Sequence, residues 1–408
     1  MAALGACAAE TQRSAFRGAR SQGGGSWGQT RSLTTGLAAL ALATSLGALV
    51  ASSGPPLLAQ EASSAPRVSA GDGTLYLGGF PSRIFVIDEA TTSVVDEIAV
   101  PHGSPRAMVV SEDRERFYFL DPTMEHLTTV GVASREVTDS FRLSEGNRAV
   151  RIRGFRVAPD GRTAILNTDA AVKLVDRFEI EPYRLVEVDL ATHEILQDLP
   201  WPTGEPTPRS RFLYSPDGDY VYHFGRDIIV LETEGFTEVD RWSLREPVEP
   251  GVGSIRFGFS TDLVYEEPGF FTNLFRLHDP AQDRDLMGIA RIDLPNREVD
   301  FYTLGPARGI QFALAPGRRV AYGLQSSIEG YEFWTFDMEQ RRVGHRRQVP
   351  GRPRMALDVS TNGEVLYISS AGNTIDFYDA ASFDYLDTLA LDGDMTSGLI
   401  VIPTSPDQ

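Results

Sequence analysis

Between Arg352 and Pro403 the chain alternates short apolar runs with turn-forming residues in a pattern that predicts four strands and then a fifth. Arg354–Val359 reads as a strand, Ser360-Thr361-Asn362-Gly363 as a tight turn, and Glu364–Ser369 as a second strand. Thr374–Tyr378 predicts a third strand, Asp379–Ser382 a polar corner, and Asp384–Leu391 a fourth. Within the second strand, Val365-Leu366-Tyr367-Ile368 is apolar at consecutive positions. Side chains alternate faces along a strand, so both faces of this sheet must be covered, as happens when sheets pack on one another.

The same unit recurs. A corner residue ends the third strand in Ile87-Asp88, Val188-Asp189, Ile292-Asp293, Phe336-Asp337 and Tyr378-Asp379, with Glu232 and Gly131 at the same place in two weaker copies. The anchors at 88, 131, 189, 232, 293, 337 and 379 are spaced by 43, 58, 43, 61, 44 and 42 residues, which makes seven units. The turn between first and second strands repeats as Ala158-Pro159-Asp160-Gly161, Ser215-Pro216-Asp217-Gly218, Ser360-Thr361-Asn362-Gly363 and a degenerate Ser111-Glu112-Asp113-Arg114. Proline presets φ and glycine accepts a positive φ, which suits a tight hairpin. After the last full unit one apolar run remains, Leu399-Ile400-Val401-Ile402, whereas the first unit starts at its second strand with Thr74-Leu75-Tyr76-Leu77. The pattern therefore predicts an all-β chain: a seven-bladed β-propeller of four-stranded antiparallel blades, closed by pairing the C-terminal strand with the first blade. It occupies 68–403, followed by a tail at 404–408.

Residues 1–59 read as a leader: Arg13, Arg17, Arg20 and Arg31 are opposed only by Glu10, an uncharged Ala/Leu-rich run follows from Leu33 to Val50, and Leu57-Leu58-Ala59 offers a small residue for cleavage before Gln60. Residues 60–67 are a linker. The expected location is periplasmic or secreted, with membrane contact only through the leader if it stays uncleaved as an anchor. Without residues 1–59 the chain has 34 basic and 55 acidic residues, a balance of −21, which repels nucleic acid. The one cysteine, Cys7, lies in the leader. A mature chain without thiols has no disulfide, thiolate zinc site, iron–sulfur cluster, cysteine nucleophile or Cys-x-x-Cys-His haem attachment. Lys173 is the only lysine.

Candidate chemistry is sparse. His102, His126, His193, His223, His278 and His345 form no His-x-His or His-x-x-x-His pair, so no metal site is expected. There is no Gly-x-Ser-x-Gly elbow and no phosphate-binding glycine-rich loop, and no catalytic residue is assigned. Arg106, Arg153, Arg211, Arg256, Arg308 and Arg354 each lie near the start of an expected innermost strand. At the mouth of a central channel they would bind an anion or a partner's carboxylates, unless each pairs with a neighbouring blade's acid. The two long units carry their extra residues around Asn167–Tyr183 and Tyr265–Met287. Phe178, Tyr183, Phe270, Phe271 and Phe275 in these extensions are candidates for a partner interface, or else they cap the hairpins against the rim.

With its Ile-Asp corners and Ser-Pro-Asp-Gly turns, the repeat resembles exported YVTN-type propellers. Several stretches are similar to the β subunit of quinohaemoprotein amine dehydrogenase: Phe178-Glu179-Ile180-Glu181-Pro182-Tyr183-Arg184, Gly225-Arg226-Asp227 before a strand, Asp279-Pro280-Ala281 before Gly288, and Tyr378-Asp379-Ala380 before the closing strand. The resemblance implies a periplasmic subunit that holds a small quinone-bearing subunit beside a dihaem subunit. Quinone and haem would then reside on those partners, and this chain would bind no cofactor. Two other readings stay open: a stand-alone propeller that takes a small anion or peptide in its channel, and a self-contained hydrolase or lyase using channel carboxylates.

Overall fold

The computed structural model describes residues 68–244, 251, 253–258, 264–327, 330–351, 355–370 and 372–404. The expected leader and linker lie outside the described residues, as does Arg354. The described chain folds into seven antiparallel sheets, six of four strands and one of five. Each is a blade whose first strand is innermost. Among the described residues the regular structure is all β apart from a single 3-10 turn at Glu234–Phe236. Met395–Ile402 supplies the inner strand of blade 1, pairing antiparallel with Thr74–Gly79 in the register Leu75↔Val401 and Leu77↔Leu399. The third strands end at Asp88, Gly131, Asp189, Glu232, Asp293, Asp337 and Asp379, the seven anchors of the repeat.

Consecutive apolar positions are explained by the way blades stack. Along Arg116–Leu120 of blade 2, Phe117 and Phe119 pack into the cluster shared with blade 1, while Tyr118 and Leu120 enter the one shared with blade 3. Val365 and Tyr367 of blade 7 likewise face blade 1, and Leu366 and Ile368 face blade 6. Full burial of each such side chain stabilises the fold by roughly 1.5–3 kcal/mol.

The recurring corner aspartate owes its place to backbone donors. Asp189 Oδ1 accepts from the amides of Ala191 (2.8 Å) and Thr192 (2.7 Å), and Asp379 Oδ1 from those of Ala381 (3.1 Å) and Ser382 (2.7 Å). Asp88, Asp293 and Asp337 each accept one such amide. Four residues after every anchor the chain enters the left-handed region at a residue that is not glycine: Thr92, Arg135, His193, Phe236, Arg297, Arg341 and Phe383, with φ between 47° and 63°. Such backbone costs energy that another contact must offset. At three of these residues such a contact reaches the preceding blade: Arg297 pairs with Asp240 (2.9 Å), His193 with Asp139 (2.9 Å) while stacking on Phe141, and Phe383 stacks on Phe333.

One buried histidine links the fold to pH. His223, on the second strand of blade 4, is 4% exposed, and burial together with the Arg241 guanidinium pushes its pKa down to about 4. Phe212 and Asp227 also lie against this part of the blade. Between pH 6.5 and about 4 the unfolded chain takes up a proton that the folded chain refuses, so stability present above pH 6.5 is lost as pH falls. The expected loss is about 3 kcal/mol by pH 4, at roughly 1.4 kcal/mol per unit. Urea melts at pH 7 and pH 4.5 measure it, and the difference is expected to shrink in a His223→Gln variant. An unchanged difference overturns the assignment.

Candidate functional site

The antiparallel order sets two ends to the propeller. Turns between first and second strands and the aspartate corners lie at one end, the turn face. Hairpins between second and third strands and the crossovers between blades lie at the other, the hairpin face.

Blade 3 departs furthest from the plain repeat on the hairpin face. Its first two strands run long, Arg148–Val157 and Thr163–Lys173, and the chain returns through a short strand, Phe178–Ile180. The register Arg148↔Val172 and Phe178↔Lys173 joins them into a three-stranded tongue. Alternation along its strands puts Ala149, Arg151, Asp169, Ala171, Lys173, Phe178 and Ile180 on one face. That face forms one wall of a groove of about 600 Å³, and Glu125, Arg142, Ser144 and Glu145 of blade 2 form the other. Phe178 and Ile180 are 65% and 73% exposed, and Val175 at the tip is fully exposed.

The charges around the groove divide into paired and unpaired. Arg148 is bidentate to Glu181 (2.9 and 2.7 Å), and this hydrogen bonding raises the arginine pKa and lowers that of the carboxyl. Arg153 is bidentate to Asp169 (2.5 and 2.8 Å), which raises the pKa of Arg153. Arg142, Arg151 and Lys173 line the same groove and make no ion pair with a described residue.

The central channel holds a separate cavity of about 390 Å³ among the inner strands of blades 5, 6 and 7, with Gln311, Asn273, Glu266 and Asp358 among its lining. Val264 and Tyr265 lie across its turn-face end. The Val264 carbonyl accepts from Arg114 of blade 2 (2.7 Å), the Tyr265 carbonyl from Arg318 of blade 6 (3.4 Å), and the Tyr265 hydroxyl donates to the Val359 carbonyl of blade 7 (2.9 Å). Bonds to three blades around the axis make this segment a plug. Arg156 of blade 3 is half-buried near Glu112 and Tyr214, and burial lowers its pKa. Among the described residues no group of three or more His, Cys, Asp or Glu side chains is placed to hold a metal.

The structure separates the five described arginines of the six expected at the channel mouth; Arg354 lies outside the described residues. Arg153 belongs to the blade 3 groove, Arg256 lies 3.6 Å from Asp285 on the blade 5 hairpin, and Arg106, Arg211 and Arg308 are exposed. None of the described five lines the channel cavity. Phe178 is exposed on the tongue, and Tyr183 is half-buried at its base.

Phe271 and Phe275 require a correction, because both are fully buried and belong to the fold instead of an interface. Phe271 packs on Phe224 between blades 4 and 5, and Phe275 meets Phe301 edge-on inside blade 5. The Phe275 ring lies against Gly288, where a Cβ would come within 2.6 Å of the ring and 2.0 Å of the Tyr302 carbonyl. Phe270 sits at the turn face, half-buried, with the Arg291 guanidinium 3.9 Å above its ring. The blade 5 hairpin tip is charged, with His278 on Asp285 (3.1 Å) and Arg284 near Asp279 (3.7 Å). The groove cations Arg142 and Arg151 escaped the sequence reading. The signal for the second was the every-other-residue run Ala149, Arg151, Arg153 at the start of a strand, broken by a bulge between Ile152 and Gly154.

No protein-family model matches the chain, and no curated protein matches it. Among solved structures, a functionally unknown protein from Desulfotomaculum acetoxidans DSM 771 is similar over 82% of this chain and 100% of its own, with a TM-score of 0.51 at 10% identity. Kuenenia stuttgartiensis hydrazine synthase aligns over 76% of this chain and 90% of that chain (TM-score 0.45, 12% identity). Apo AztD from Citrobacter koseri aligns over 81% and 98% (TM-score 0.47, 12% identity). At these identities the likeness is one of fold alone: the chain is a seven-bladed β-propeller.

Proposed function

We propose that this chain is a non-catalytic propeller which, once exported, serves as a rigid platform for a partner protein seated on its hairpin face around the blade 3 tongue. The observation that carries the reading is the tongue itself. It holds apolar side chains in solvent at Val175, Phe178 and Ile180 beside cations that no described acid neutralises. Aromatic and arginine side chains on a projecting, hydrogen-bonded element are what a protein interface uses. The stretch Phe178–Arg184, which resembles the β subunit of quinohaemoprotein amine dehydrogenase, is the return limb of this tongue. That resemblance gives the partner a class: a small quinone-bearing subunit of a periplasmic redox complex, with haem on a third chain. Uptake of a small anion in the channel is the weaker alternative, because Glu266 and Asp358 line that cavity and none of the described arginines of the six does.

The test is purification of the tagged full-length chain from its native host, beside a Phe178→Ser/Ile180→Ser variant. Wild type is expected to bring down a partner in fixed stoichiometry together with a haem absorption band. The variant is expected to lose both at an unchanged melting temperature. A chain that purifies alone overturns the platform reading.

A further inference from the structure

We infer that the groove between the blade 3 tongue and blade 2 binds an extended, acidic segment of a partner chain, one that alternates carboxylate with apolar side chains. This rests on the platform reading and adds the chemistry of what is bound.

Three observations converge on such a segment. The first is a local inversion of charge. In a chain of net charge −18, the groove is lined by Arg142, Arg148, Arg151, Arg153 and Lys173 against Glu125, Glu145 and Asp169. Asp169 is engaged by Arg153, and Glu181 engages Arg148, so Arg142, Arg151 and Lys173 remain for an incoming anion. A guanidinium pair with a carboxylate can be bidentate and is stronger than a neutral hydrogen bond.

The second observation is apolar surface on the same face. Ala149, Ala171 and Ile180 stand in one cross-strand row, and Phe178 stands beside Lys173 in the next. A small inorganic anion would leave this row in water, whereas a peptide carrying Leu or Ile covers it.

The third is a strand edge that no described strand pairs with. Glu181 donates its amide to the Ala170 carbonyl (2.8 Å), and Leu174 donates to the Arg177 carbonyl (2.8 Å). In an antiparallel ladder the hydrogen-bonded pairs alternate. With 177 and 181 facing the neighbouring strand, 179 faces it as well, and Phe178 and Ile180 turn their amides and carbonyls outward. An extended segment can pair with that edge, drawing affinity from the main chain and selectivity from alternate side chains.

The probe is an acetylated, amidated Asp-Leu-Asp-Leu-Asp peptide, titrated calorimetrically into the full mature chain. Its Asn-Leu-Asn-Leu-Asn and Asp-Ser-Asp-Ser-Asp counterparts serve as controls. Each control is expected to bind at least about tenfold more weakly, as is the parent peptide to an Arg142→Gln/Arg151→Gln variant whose melting temperature is unchanged. Binding is expected to weaken with added salt. Because Lys173 is the only lysine, carbodiimide coupling adds a positional readout: an amide between Lys173 Nζ and a peptide aspartate, found by mass spectrometry.

The inference is overturned if the Asn peptide binds as tightly as the parent, if the arginine variant binds normally, or if no binding is seen up to about 1 mM, the affinity range of the weakest specific contacts. A single-stranded oligonucleotide that binds with the same arginine dependence also overturns it, marking a general polyanion site. The two readings fail separately. A partner lost from Phe178→Ser/Ile180→Ser but retained by Arg142→Gln/Arg151→Gln keeps the platform and removes the acidic segment.

Discussion

A chain ending at Asp394 is expected to show no cooperative thermal transition. The deletion removes the inner strand of blade 1, Met395–Ile402, and with it Leu399, Ile400, Val401 and Ile402, which are 2–7% exposed. At roughly 1.5–3 kcal/mol each, four such side chains contribute about 6–12 kcal/mol, comparable to the roughly 5–15 kcal/mol by which whole domains are stable. The clusters on both sides of blade 1 are emptied together, since Leu399 and Val401 face blade 7 while Ile400 and Ile402 face blade 2. Thr74–Gly79 would be left as an unpaired edge beside exposed apolar faces, a surface prone to association. Circular dichroism melts with light scattering test this. A truncated chain that melts cooperatively within a few degrees of wild type would show that the ring does not depend on its closing strand.

Glu89→Ala is expected to cost about 3–5 kcal/mol, the range for removing one member of a buried, satisfied charge network. For a chain of this size that lowers the melting temperature by about 4–7 °C. Glu89 follows the blade 1 corner and is 0% exposed. Its carboxylate accepts the amides of Gly73 (2.9 Å) and Thr361 (2.9 Å) and the hydroxyls of Tyr367 (2.5 Å) and Thr361. Thr361 and Tyr367 belong to blade 7, so this one side chain ties the first blade to the last. Burial, reinforced by the Glu89 charge, raises the Tyr367 pKa and keeps its hydroxyl a donor.

Alanine at 89 would strand four buried donors, each costing about 1–3 kcal/mol without strict additivity. Glu89→Gln keeps one acceptor oxygen but turns an amide donor toward other donors, so about half the loss is expected. Asp88→Ala, one residue earlier and only half-buried, is expected to cost about 1 kcal/mol or less. Urea titrations of the three variants give the ranking, and equal losses at 88 and 89 would dismiss the latch. The backbone comes close enough for this network only because Gly71 has φ +138° and no side chain, since a Cβ there would lie 2.0 Å from Thr361 Oγ1.

Legibility followed the period of the side chains. Where apolar residues occur at consecutive positions, as in Val365–Ile368, sequence alone says that both faces are covered, and the structure distributes them between two blade interfaces. Where the same logic was applied to Phe270, Phe271 and Phe275, it could not tell outward from inward. A longer hairpin can either project or thicken its own blade, and blade 5 does both. Phe275 has a place inside only because Gly288 lies opposite it. Tyr265 read as the start of an extension, yet it closes the channel through bonds to residues 53 and 94 positions away. The weak copies of the corner have local explanations: at Gly131 the Ser134 hydroxyl fills the space a side chain would need, and after Glu232 a 3-10 turn replaces the aspartate-capped one.

The sequence by itself determined the number of blades, the borrowed closing strand and the absence of thiol chemistry from everything after Cys7. These depend on spacing and residue type, which are one-dimensional. Tertiary structure alone decided which of the five described arginines stay near acids, which aromatics reach solvent, and that Arg142, Arg151 and Lys173 meet across two blades. It also set the seven left-handed residues after the corners, several of which, such as Arg297, His193 and Phe383, are held by a different kind of neighbour in the preceding blade. Such contacts join positions tens of residues apart, and no local period records them.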